Sequence, residues 1–220
     1  MNSFSCYTHV FFDCDGVILD ANVIKSNAFY EVALSRFGKE IAEDFKKYHE
    51  EKGGISRFKK FNHLLSTTSY LSNSITIESL LDDYEKLILE KLLNCNVVNG
   101  LDDLRKENPD QSWYIVSGGS QKELLHIFAK KQINSYFDGG IYGSPDDKKT
   151  IIKNILKSNL NNSNKVFIGD SKYDFDVAKS FNFDFIFASK WTQLKNWREF
   201  CSTNNINFIS DISYLMETRK

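Results

Sequence analysis

The apolar run His9-Val10-Phe11-Phe12 reads as a short strand, and no convincing strand follows it until after residue 110. A single strand is not stable by itself, so this one must pair with segments about a hundred residues further along. Between residues 22 and 97 the pattern is helical: Val23–Phe37, Ile41–Lys52, Ile55–Leu65 and Ile77–Leu93 repeat apolar residues every three or four positions. The polar stretch Ser66–Ser74 is expected to be the loop between the third and fourth of these helices. After residue 100 the rhythm changes. Strands are predicted at Trp113–Val116, Gly140–Tyr142, Lys165–Ile168 and Phe183–Ala188, with helices at Gln121–Lys131, Asp147–Ser158, Tyr173–Phe181 and Trp191–Cys201. Such alternation specifies an α/β fold, a Rossmann-like parallel sheet covered by helices on both faces. Residues 1–20 and 99–220 are expected to form that core. Residues 21–98 are expected to form an all-helical insertion over the carboxyl edge of the sheet, where open α/β sheets bind ligands. The linkers near Asp20 and Asn99-Gly100 would be its hinge.

Composition bounds the function. The 220 residues suffice for one large core and a smaller lobe. A formal net charge of −1 gives no electrostatic basis for binding nucleic acid or an anionic membrane, and no apolar run reaches membrane-spanning length. Cys6, Cys14, Cys95 and Cys201 form no zinc-like spacing. Together with an amino terminus that lacks a basic start and an apolar core, this leads us to expect a reducing cytoplasm.

Four segments carry chemistry, each at the carboxyl end of an expected strand. Asp13-Cys14-Asp15-Gly16 puts two carboxylates one residue apart where the first strand ends. Buried like charges repel unless a cation or shared proton relieves them, so the pair suits a cation site with one nucleophilic and one proton-shuttling carboxylate. A plain Asp-Gly turn fits equally well. Ser117-Gly118-Gly119-Ser120 brings a hydroxyl and two glycines to a helix start, an arrangement fit for anions, and Ser120 with Glu123 matches a capping box. Lys148 falls in a first helical turn, where a cation opposes the helix dipole unless it faces an anion, while Lys149 is turned toward solvent. Gly169-Asp170-Ser171 with Asp174 offers two carboxylates four residues apart as strand turns into helix. Each of these, alone, is also compatible with an ordinary strand-to-helix connection.

Taken in order, Asp13-Cys14-Asp15-Gly16-Val17, Ser117-Gly118, Lys148 and Gly169-Asp170-Ser171 with Asp174 resemble the motifs of the haloacid-dehalogenase-like hydrolases, in their phosphatase branch. The resemblance spans the chain and implies a sheet in the order 5-4-1-2-3 with a mobile helical cap inserted after the first motif, as in phosphoglycolate phosphatases and β-phosphoglucomutases. It implies that Asp13 is the nucleophile and forms an aspartyl-phosphate. Asp15 would be the general acid and base, Ser117, Gly118 and Lys148 the phosphate ligands, and Mg²⁺ the cofactor, held by Asp13, Asp170 and the Asp15 carbonyl. Asp174 would orient Lys148 or a metal-bound water. The implied substrate is a small phosphorylated metabolite, such as a sugar phosphate or a phosphoglycolate-like acid, with no obligate protein partner evident.

Asp15 argues against the dehalogenases, the ion-pumping ATPases and the phosphonate-cleaving relatives, which lack a carboxylate there. The alternative is a phosphosugar mutase, favoured by Gly54-Ile55-Ser56-Arg57, which is similar to the substrate loop of those enzymes, and disfavoured by Gly169, where they carry an acid. Arg57 is expected either to reach the cleft as a bidentate anion ligand or to belong to a solvated helix face. Asn182 stands at a helix end, where it tolerates a left-handed conformation, His49 and His63 are expected to be packed or solvated, and Trp191 and Trp197 to pack the last helix on the sheet.

Overall fold

The computed structural model describes residues 4–69, 74–157 and 163–216. The amino-terminal strand β1 (His9–Phe12) lies in mid-sheet, parallel to both β2 (Ser112–Ser120) and β4 (Lys165–Gly169). With β3 (Gly140–Ser144), β5 (Asp184–Ala188) and β6 (Asn207–Ile209) the sheet order is β3-β2-β1-β4-β5-β6. The five expected strands keep their expected order, and β6 corrects the count. It is three residues long and largely exposed, so it offers no apolar run by which to recognise it.

Alternation along β1 sends consecutive side chains to opposite faces. Phe11 stacks on Tyr114 at 4.6 Å on one face, beneath α7 (Lys148–Leu156) and α8 (Lys172–Ser180). Phe12 meets Trp113 edge-on at 5.0 Å on the other, beneath α6 (Gln121–Lys130). Both phenylalanines are fully buried, and this two-sided burial makes the strand apolar throughout.

Four helices separate β1 from β2 along the chain: α1 (Asn22–Phe37), α2 (Lys39–Glu51), α3 (Arg57–Thr68) and α4 (Ile77–Asn94). They close around Phe29, whose ring lies 5.6 Å from Phe45, 5.1 Å from Phe61 and 4.3 Å from Tyr84. α3 runs past the expected end at Leu65, because the Thr68 hydroxyl bonds back to the Leu64 carbonyl at 2.7 Å. Residues 70–73 of the expected loop, and Ser158 at the expected end of α7, lie outside the described residues.

A short α5 (Leu101–Glu107) precedes β2 and was not expected. The last helix, α9, covers Trp197–Thr203 rather than beginning at Trp191. The segment before it is held in an irregular path by its own bonds: the Trp191 carbonyl accepts from Asn22 (2.9 Å) and the Thr192 hydroxyl donates to the Asp170 carbonyl (2.6 Å). Trp197 does pack the helix on the sheet, stacked on Phe187 at 5.9 Å. Among the described residues no helix is long and apolar enough to cross a membrane.

Asn182 turns the chain from α8 toward β5 at a φ of 54°, as its residue type allows. Asn182→Val is expected to lower unfolding stability by roughly 1–2 kcal/mol, the cost of a β-carbon in left-handed backbone, while Asn182→Gly stays close to wild type. Urea unfolding of the two variants checks this.

Candidate active site

The adjacency of β1 and β4 brings the first and last motifs together at the carboxyl edge of the sheet. The Asp13 N–H donates to the Ile168 carbonyl (2.9 Å), continuing the ladder by one residue and aiming the Asp13 side chain out of the strand end. Asp13 Oδ1 accepts from the Cys14 N–H (2.7 Å) and lies 2.8 Å from Lys148 Nζ. Its Oδ2 has no protein donor among the described residues and faces the cleft. Gly16, at φ 83°, lets the chain pass close beneath Asp170: a β-carbon there would fall 2.3 Å from Asp170 Oδ2.

Lys148 occupies the first turn of α7, as expected, behind an Asp147 cap that accepts from the Thr150 N–H. Burial works against its charge, but Asp13 and Asp174 more than offset that and hold the ammonium above its usual pKa. Asp174 is saturated. Its Oδ1 takes Lys148 (2.6 Å), and its Oδ2 takes both the N–H and the hydroxyl of Ser171, closing a capping box on α8. Asp174 therefore orients Lys148.

Asp13, Asp170 and Asp174 carry one oxygen each within 4.8 Å of one another, and all three are buried. Three carboxylates against the single Lys148 leave an excess of two negative charges. Burial, opposed by Lys148 but reinforced by Asp174 and Asp15, pushes Asp13 up to about 7. Burial, reinforced by Asp13 and Asp174 and opposed by Asn22 and Lys148, raises Asp170 well above its ordinary value. A hard divalent cation with oxygen ligands would cancel that excess, so the residues present fit a metal ion. Asn22, which sequence reasoning passed over, donates to Asp170 Oδ2 (2.7 Å) and fixes its orientation.

Asp15 points the other way, toward the helical insertion. Its Oδ2 meets Lys25 Nζ of α1 at 2.6 Å. Lys25 occupies the same buried face of its helix as Ala28, Phe29 and Val32, and a lysine within an apolar stripe was the available clue. Ser117 is completely buried, its Oγ accepting from the Gly119 N–H (3.0 Å), which leaves its proton for another acceptor. Gly118 lies under the α2–α3 loop, where a β-carbon would stand 2.7 Å from the Gly54 carbonyl oxygen. The side chain of Ser120 makes no cap. Glu123 is not its partner either, and the expected capping box is corrected: Glu123 Oε1 accepts from Arg57 Nη2 of α3 at 2.6 Å.

Arg57 is thus not part of a solvated face, and one of its donors is committed to Glu123. It is buried on the cleft wall, paired with Glu123 and set 4.8 Å from the Tyr84 ring. Phe58, next to it on α3, is exposed. His49 is buried against Phe29 (4.5 Å) and His63 stacks on Tyr48 (3.9 Å). The cleft between sheet edge and insertion encloses about 420 Å³, lined by Asp13, Asp15, Gly118 and Asp170 on one side and Lys25, Arg57 and Lys60 on the other. That volume suits a small metabolite.

Residues 10–188 match the family model of the haloacid dehalogenase-like hydrolases. A haloacid dehalogenase-like family hydrolase from Streptococcus pneumoniae superposes with a TM-score of 0.68 at 19% identity, covering 96% of this chain and 98% of that one. CbbY from Rhodobacter sphaeroides, solved in complex with phosphate, gives 0.70 at 11% identity, covering 95% and 96%. A predicted phosphoglycolate phosphatase from Haemophilus somnus gives 0.64 at 14%, covering 84% and 87%. No curated protein matches the chain.

The acidic excess has a thermodynamic signature. Asp13 is raised from 3.8 to about 7 in the folded protein, so between those values the native state holds more protons than the unfolded chain. Its contribution to stability is therefore present at low pH and lost as pH rises toward 7. In chelator at pH 8, Asp13→Asn is expected to melt higher than wild type, and adding a divalent cation should raise the wild-type melting temperature but not that of the variant. Thermal melts with and without cation check both.

Proposed function

The chain belongs to the haloacid dehalogenase-like hydrolases, and on that footing we propose that it is a Mg²⁺-dependent phosphatase of a small phosphorylated metabolite. The observation that carries this reading is the buried set Asp13, Lys148, Asp174 and Asp170 beneath a small cleft, with Asp15 on the side from which a leaving group would depart. In this reading Asp13 Oδ2 attacks phosphorus and forms an aspartyl-phosphate. Asp15 gives a proton to the departing ester oxygen, then takes one from the water that hydrolyses the acyl phosphate. Lys148, the Gly118 N–H and the Ser117 hydroxyl hold the phosphoryl oxygens and offset charge as it develops. Asp13, Asp170 and the Asp15 carbonyl would hold Mg²⁺, which reduces the repulsion between carboxylate and phosphate.

Helices α1–α4 are proposed as the mobile cap, with residues 21–98 hinged on the core, so that closure excludes water while the ester bond breaks. Arg57 has one Nη on Glu123, and its remaining donors are assigned to the substrate. The phosphosugar mutase is the lesser reading: a β-carbon at Gly169 would lie 2.4 Å from that of Asp174, which leaves no space for an acidic side chain. All four cysteines are free, which supports a reducing cytoplasmic home.

Phosphate release from a generic aryl phosphate tests the reading. Asp13→Asn is expected to lower turnover by roughly 10³-fold or more, and Asp15→Asn by about 10²–10⁴-fold. Substantial steady-state turnover by Asp13→Asn would overturn the mechanism. Excess chelator is expected to abolish activity and Mg²⁺ to restore it. Ca²⁺ should inhibit, because its longer bonds and larger coordination number misplace Asp13. Full activity in chelator would remove the metal from the account.

A further inference from the structure

Three lysines are buried at the cleft: Lys25, Lys60 and Lys148. Lys148 sits between Asp13 and Asp174, and Lys25 is paired with Asp15, with Glu123 at 3.7 Å. Lys60 differs. It projects from α3 into the cleft, is only 3% exposed, and forms no ion pair among the described residues. Its Nζ lies 2.6 Å from His49 Nδ1, a neutral partner, and 5.3 Å from the centre of the Phe29 ring. The acids that act on it are Asp15, already paired with Lys25, and Asp13, already paired with Lys148.

A buried ammonium without a counter-charge is costly, and here burial, with Lys25 adding repulsion, pushes Lys60 down to about 7. An apolar side chain would pack among Phe29 and Phe61 at no such cost. Lys60 lines the cleft, and an anion bound there would supply the missing negative charge. We propose that Lys60 recognises a second anionic group carried on the leaving-group side of the substrate, so that the enzyme acts on doubly anionic phosphate esters rather than on esters of neutral alcohols. This rests on the phosphatase reading. It selects, within that reading, a phosphorylated short hydroxy acid or a bisphosphate over a neutral phosphorylated sugar.

The test separates binding from turnover. Non-cleavable phosphonates are titrated calorimetrically into wild-type protein and Lys60→Met with Mg²⁺ present: phosphonoacetate, 1,2-ethylenediphosphonate and ethylphosphonate, which lacks the second anion. Wild type is expected to bind phosphonoacetate or the diphosphonate at least ten times tighter than ethylphosphonate, and the tighter of the two names the second anion as carboxylate or phosphate. Lys60→Met should lose that preference while melting no lower than wild type without ligand, which excludes a merely structural role. Lys60→Gln is the second variant, and it too should lose the preference. Equal affinity of wild type for all three phosphonates, or a preference that survives in either variant, would overturn the proposal. Failure of phosphate release from every ester would instead fall on the phosphatase reading, since the titrations do not depend on turnover.

Discussion

The site is organised by an excess of buried negative charge at the end of β1 and β4. Asp13, Asp170 and Asp174 bring one oxygen each within 4.8 Å of one another, and among the described residues Lys148 is the cation that pairs with them. Parallel pairing of the two strands makes the convergence unavoidable, because residues just past the ends of neighbouring parallel strands lie side by side. The rest of the core serves to hold that repulsion. Lys148 is delivered by a helix start that would reject it without the two carboxylates, and Asp174 uses both oxygens to fix it. A buried cluster of this kind weakens the fold unless a cation or a shared proton relieves it.

A second polar layer joins the helical insertion to the core. Asp15 meets Lys25 from α1 in a partly buried pair, and Glu123 meets Arg57 from α3 nearly sealed from water. Buried pairs contribute little net stability, because desolvation takes back most of the Coulomb gain. In this seating of the insertion both charges are paired. The same seating lays Gly54 against Gly118, where no side chain would fit. The general acid proposed for the reaction is thus anchored by the element that covers the cleft, which ties the geometry of the chemistry to the position of the insertion.

Much of this was legible from the chain. The change from helical periodicity to strand-helix alternation near residue 100 located the insertion and the sheet, because burial on one face or on two writes itself directly into spacing. Asp13, Asp15, Ser117, Gly118, Lys148, Asp170 and Asp174 announced themselves by falling at strand ends, and the structure gathers them at one edge. Asn182 was readable because left-handed backbone restricts residue type.

What stayed hidden depended on partners distant in sequence. Glu123 matched a local capping pattern, yet its carboxylate is claimed by Arg57, 66 residues away, since a buried guanidinium needs a counter-charge more than a solvent-accessible helix start needs a cap. Trp191 and Thr192 sat in a helical pattern that lost to bonds with Asn22 and Asp170. Lys25 and Lys60 are enclosed only by tertiary packing, and β6 was too short to write a period. The sequence by itself determined the fold class and the placement of carboxylates at strand ends, because these follow from local periodicity and from residue types there, while the strand order came with the family resemblance. Only the tertiary structure decided which charges are paired and which buried lysine has no ion-pair partner among the described residues, because electrostatic pairing is settled by distance in space.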